Sequence, residues 1–131
     1  MPARRRIDPV EGRRTLIDWV RATESGAEIP RATVRDAVRF SLEEFAERHP
    51  GRTCELRVPP FGVAHCLTGP RHTRGTPPNV VECLPAVWLA LVTGSRTWAE
   101  ALADGDVLAS GGRADLADYL PLLPGLWSSH E

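Results

Sequence analysis

The sequence predicts an α+β fold in one domain. Two long amphipathic stretches come first, short alternating segments follow, and a helix–turn–helix–strand series closes the chain. Each change of periodicity coincides with proline, glycine or a capping residue, so the boundaries read as true element ends.

Asp8-Pro9-Val10-Glu11 opens the first predicted helix, over residues 8–25. Aspartate suits the N-cap, proline the first helical position and glutamate the third. Leu16, Ile17 and Val20 form its buried stripe, flanked by Trp19. The longest helix runs from Pro30 to about Arg48. Val34, Ala37, Val38, Ser41, Leu42, Phe45 and Ala46 follow the 3.6-residue period, and Arg39 and Glu43 are spaced to pair.

From Thr53 to Val58 the pattern switches to alternation. Cys54, Leu56 and Val58 face one way, and Glu55 and Arg57 the other. Pro59-Pro60-Phe61-Gly62 turns the chain into a second strand, Val63 to Leu67, antiparallel to the first. Residues 79–82 predict a third strand, and Pro70 to Thr76 an edge strand. Leu84-Pro85 opens an apolar helix that Gly94 ends. Thr97 and Glu100 form a capping box for the next helix, which Gly105 closes. Val107 to Ser110 is a short strand, and Gly111-Gly112 a turn. Leu116, Tyr119 and Leu120 mark the buried side of a last helix ended by Pro121.

Composition narrows the function classes. The chain has 131 residues, 42% hydrophobic and 25% charged, with a net charge of −1. That suits a single globular domain and offers no bulk field for nucleic acid. All 16 basic residues are arginine, which excludes Schiff-base chemistry on lysine. Three separate cysteines and no apolar leader point to a reducing cytoplasm, and no apolar run is long enough to span a membrane. Residues 1–7 read as a flexible basic N-terminus and 121–131 as an apolar tail.

No nucleophile, metal-ligand set or phosphate loop has catalytic spacing, so no cofactor is expected. His49 caps a helix end, His65 lies beside Val63 and Leu67 as a core or edge residue, and His130 is in the tail. The cysteines read as buried hydrophobes, with Cys83 slightly favoured as a thiolate by the helix that follows it. Arg71, His72, Arg74 and Thr76, bracketed by glycine and proline, form the sharpest polar feature. They read either as an anion-capturing or partner-binding loop, or as a solvated loop whose arginines pair with Glu55 and Glu82.

Trp88-Leu89-Ala90-Leu91-Val92-Thr93-Gly94, Ala101, Gly105, Val107, Ala109, Gly111 and Leu116 together resemble the C-terminal half of the sterol carrier protein family, lipid-carrier type. The resemblance covers residues 80–121 and, by element order, 31–68. Pro59 to Gly62 and Gly69 to Glu82 look like the signature of a small single-domain actinobacterial branch. The resemblance implies a mainly antiparallel mixed sheet of four or five strands with about five helices packed largely on one face. The helix over 8–25 is an addition to the simplest carrier domain.

The resemblance also implies non-catalytic binding, or transfer, of a small lipid or other apolar ligand between sheet and helices. Phe40, Leu56, Phe61, Trp88, Val92, Trp98, Leu120 and Leu123 are the expected lining residues, with Arg71 and Arg74 as head-group anchors. The apolar tail would line or plug that space. The competing expectation is a protein-interaction module with a filled core, whose arginine loop and tail contact a second copy or another protein.

Overall fold

The computed structural model describes residues 6–69 and 79–128. The elements in chain order are α1 (Pro9–Ser25), α2 (Arg31–Arg48), β1 (Cys54–Val58), β2 (Gly62–Cys66), β3 (Asn79–Cys83), α3 (Pro85–Thr93), α4 (Trp98–Ala103) and β4 (Val107–Ser110), followed by a 3₁₀ turn, Ala117–Tyr119. The strands form one sheet in the order β2-β1-β3-β4. The β1–β2 and β3–β4 pairs are antiparallel, and β1–β3 is parallel.

Local chemistry sets the element ends. The Asp8 carboxylate accepts from the Glu11 N–H at 3.1 Å at the head of α1. Gly94 closes α3 at φ 89°, a left-handed conformation that costs glycine little. Thr97 and Glu100 form both halves of the capping box on α4.

The sheet has one buried face. Cys54, Leu56, Val58, Ala64, Cys66, Val81, Cys83 and Val107 point inward. Glu55, Arg57, Val63 and His65 lie on the other face, half-buried or exposed. Helix α2 contacts α1, α3 and β2, and α4 contacts β4, so α1 is a further layer added against α2. Gly12 is the close point of that seam. A Cβ built there would stand 2.2 Å from Phe40 Cδ1.

Three expectations are corrected. The last predicted helix is only the 3₁₀ turn. Asp115 caps the Ala117 N–H at 2.9 Å and the Tyr119 N–H closes onto the Leu116 carbonyl, but Pro121 disfavours helical geometry at Leu120, which is extended. The helix count is therefore four α-helices among the described residues. Arg39 and Glu43 do not pair with each other. Arg39 Nε donates to the Phe61 carbonyl at 3.1 Å, and Glu43 accepts the Arg6 and Ile7 N–H groups. Finally, His65 is exposed on β2, the edge strand among the described residues, while Ala64 and Cys66 face the core, so the core half of its core-or-edge reading is excluded. The expected edge strand at Pro70–Thr76 lies outside the described residues.

Candidate functional site: the sheet–helix interface

The expected lining residues come from six parts of the chain and join one apolar cluster. Leu56 on β1, and Trp88 and Val92 on α3, are fully buried. Phe40, Trp98 and Leu123 are nearly so, and Phe61 and Leu120 are half-buried. Trp88 is the centre of the polar detail. Its Nε1–H donates to Ser41 Oγ at 2.9 Å, and the Ser41 hydroxyl lies 2.8 Å from the Ala37 carbonyl. Its ring meets Phe45 edge-on, with centroids 5.8 Å apart. The sequence placed Ser41 on the apolar stripe of α2. Its partner on α3, 47 residues away, is a tertiary fact.

Phe40 and Phe61 carry other contacts. The Phe40 ring lies over Gly12 in the α1–α2 seam. Phe61 stacks under Arg31, with the guanidinium carbon 4.9 Å from the ring centroid.

The tail crosses the helical layer. The Leu123 N–H donates to the Val92 carbonyl at 2.9 Å, and Arg48 Nη1 donates to the Leu122 carbonyl at 2.9 Å. Leu122 and Leu123 are buried. Beyond them Trp127 meets Trp19 of α1 edge-on at 5.8 Å, and the Glu24 carboxylate accepts the Ser128 N–H and hydroxyl. Among the described residues the buried Trp127 indole N–H has no hydrogen-bond partner. Sequence reading found the apolar tail but not this pairing, for which its only signal was an aromatic residue at each end.

Two surface recesses lie on the described residues. One, of about 600 Å³, is an open furrow along α1 lined by Pro9, Val10, Arg13, Arg14, Ile17, Asp18 and Arg21. The other, about 260 Å³, lies at the hairpin turn between Arg57, Pro59, Pro60, Phe61, Gly62, Val63 and Glu82. Of the expected lining residues, Phe61 alone borders either of these two. The furrow is the larger of the two, and every described residue lining it comes from α1.

The thiols of the sheet are shifted in opposite directions, Cys54 down by its hydrogen bond with Cys66, and Cys83 and Cys66 up. Burial pushes the Cys83 thiol up to about 12, with Glu82 adding to the shift, so the favourable effect expected from the helix after it is outweighed. The hydrogen bond with Cys54, then burial, push the Cys66 thiol up as well. Arg57 binds Glu55 at 3.0 Å, occupying a carboxylate considered as a partner for the arginine loop. Arg71, His72, Arg74 and Thr76 themselves lie outside the described residues. Among the described residues no group of three or more His, Cys, Asp or Glu side chains could hold a metal ion, and no helix is long and apolar enough to cross a membrane.

His49 packs between two rings, 5.0 Å from Phe45 and 4.6 Å from Tyr119. Burial, then the Arg48 charge, hold its imidazole below the usual range. The unfolded chain therefore takes up this proton more readily than the folded one. The contribution of neutral His49 is fully present above the ordinary imidazole value of about 6.5 and is lost as pH falls below it. Urea midpoints measured from pH 8 to pH 5 should fall more steeply for the natural chain than for His49→Gln. Parallel curves would remove His49 as the cause.

Residues 30–122 match the family described as Bacterial SCP ortholog. The chain belongs to that family. The SCP match begins at Pro30 and ends at Leu122, so it takes in α2 through the 3₁₀ turn. It leaves α1 and the end of the tail outside. SCP membership implies a role in binding a lipid or similar ligand. Comparison with curated proteins finds no match.

Proposed function

We propose that this SCP-family protein is a non-catalytic binder of a small lipid or other apolar molecule, of the small single-domain actinobacterial kind. The ligand occupies the sheet–helix interface around Trp88, Val92 and Leu120, in space that the tail's side chains otherwise fill. The observation that carries this reading is the tail itself. Leu122 and Leu123 insert into the core from a segment that belongs to no helix or strand. A segment held outside regular secondary structure is one that a better-fitting apolar guest can displace.

Displacement of a fluorescent fatty acid tests this, with native mass spectrometry of the untreated protein as a direct check for retained lipid. The full chain should show saturable binding. A chain ending at Leu120 should bind at least about tenfold more tightly, the factor that ~1.4 kcal/mol represents. Absence of saturable displacement, with truncation changing nothing, removes the reading.

A protein-interaction module is the second reading. It is favoured by the tight enclosure of Leu56, Trp88, Leu89 and Val92, each with no exposed surface, and by Leu108 and Val63, 66% and 55% exposed on the outer face of the sheet. Light scattering of the eluting protein would report a dimer or heterocomplex under this reading and a lipid-bearing monomer under the first.

A further inference from the structure

The β1–β2 hairpin joins two of the three cysteines. Cys54 and Cys66 are register partners on antiparallel strands, and neither has exposed surface. The Thr53 N–H donates to the Leu67 carbonyl at 3.1 Å, one step outside them. Directly opposed residues of an antiparallel pair project to the same face of the sheet, so both thiols lie on the buried face. The Cα atoms of directly opposed residues lie about 4.5–5.5 Å apart, within the roughly 4.4–6.8 Å that a disulfide spans. The Cys66 Sγ stands 3.6 Å from the Cys54 carbonyl oxygen. Both thiols are free. Cys83 lies on β3, opposite Val107 of β4, and has no cysteine partner in the register.

We propose that Cys54 and Cys66 are a modification site, a cross-strand dithiol that a hydroperoxide converts to a disulfide with the hairpin register unchanged. One sulfur, as thiolate, attacks the peroxide oxygen and the O–O bond breaks. The outgoing oxygen leaves as water or alcohol, and the sulfur becomes a sulfenic acid. The second sulfur attacks the first, the S–O bond breaks, and water leaves. Two thiols lose two protons and two electrons, and one hydroperoxide is reduced. Access comes by opening of the sheet edge. Among the described residues β2 is bonded only to β1, and Thr68 and Gly69, just beyond Cys66, are exposed. The bond then staples the edge strand to the sheet at its open end. This inference is independent of ligand binding.

The experiment treats the reduced, folded full chain with hydrogen peroxide, blocks free thiols and digests with trypsin. Cleavage after Arg52 and Arg57 places the two cysteines in different peptides, and Cys83 falls in a third. The expected product is one cross-linked species joining the Cys54 and Cys66 peptides, reversed by dithiothreitol. Its thermal midpoint should lie roughly 5–10 °C above that of the reduced form. Cys83→Ser should leave the cross-link intact, and Cys66→Ala should abolish it. The proposal is overturned if peroxide leaves the folded chain's thiols free, adds oxygen without joining them, or joins either one to Cys83. Because the mapping uses the natural chain, a variant that fails to fold does not blunt the test.

Discussion

Replacing Trp88 with alanine should destabilise the protein by about 3–5 kcal/mol, a large share of the roughly 5–15 kcal/mol that holds a domain folded. The ring has no exposed surface and sits against Phe45, between the helices α2 and α3 that contact each other. The loss is mainly one of volume. Ser41 keeps partners when the indole goes, because its hydroxyl also reaches the Ala37 and Val38 carbonyls at 2.8 and 2.9 Å. Trp88→Phe should cost far less, since it restores most of the buried ring. Urea unfolding followed by circular dichroism separates the two variants, with unchanged slope and a lowered midpoint expected. A loss below about 1 kcal/mol for the alanine variant would mean that the ring fills no closed space. The alanine cavity is also informative, because an apolar void of that size binds small apolar molecules. Binding gained by this variant and lacking in the natural chain would favour the filled-core reading.

Gly12→Ala should be nearly as damaging, although it adds one methyl group and would raise helix propensity in isolation. The new Cβ would lie 2.2, 2.3 and 2.8 Å from Cδ1, Cγ and Cβ of Phe40. The overlap involves the root of the ring as well as its edge, so rotation about χ2 does not relieve it. Either α1 moves off α2 or Phe40 leaves its buried site. Overpacking of this kind costs about 1–3 kcal/mol, and detachment of α1 adds exposure of Leu16 and Val20, both fully buried. Phe40→Ala in the same chain supplies the control. If the clash is the cause, the double variant should be more stable than the sum of the two single changes predicts. Strict additivity would place the effect elsewhere.

The two variants also show where sequence reading stops. The alternation from Cys54 to Val58 stated which face is buried, and the structure agrees. On α2 it buries Ala37, Val38, Ser41, Leu42 and Phe45 as read, leaves Val34 and Ala46 half-buried, and adds Phe40. Asp8, Gly94, Thr97 and Gly105 marked element ends because each cap is chemistry between near neighbours. The expected last helix failed because apolar spacing between Gly112 and Pro121 says nothing of whether the intervening residues can complete a hydrogen-bonded turn. His65 was assigned by its neighbours Val63 and Leu67, but Leu67 lies beyond β2 with φ 68°, a left-handed value that breaks the alternation.

The site was legible as a list of apolar residues, not as a space. A filled core and a ligand cavity use the same side chains, and only their convergence in three dimensions separates them. Sequence by itself determined the fold class, the caps and the inward faces, because periodicity and capping act over a few residues. Tertiary structure decided that Ser41 meets Trp88, that Phe40 locks onto Gly12, that Trp127 reaches Trp19, and that Cys54 faces Cys66. Each of those contacts joins separate elements, and its geometry is set by how helices and strands stack, which no local pattern encodes.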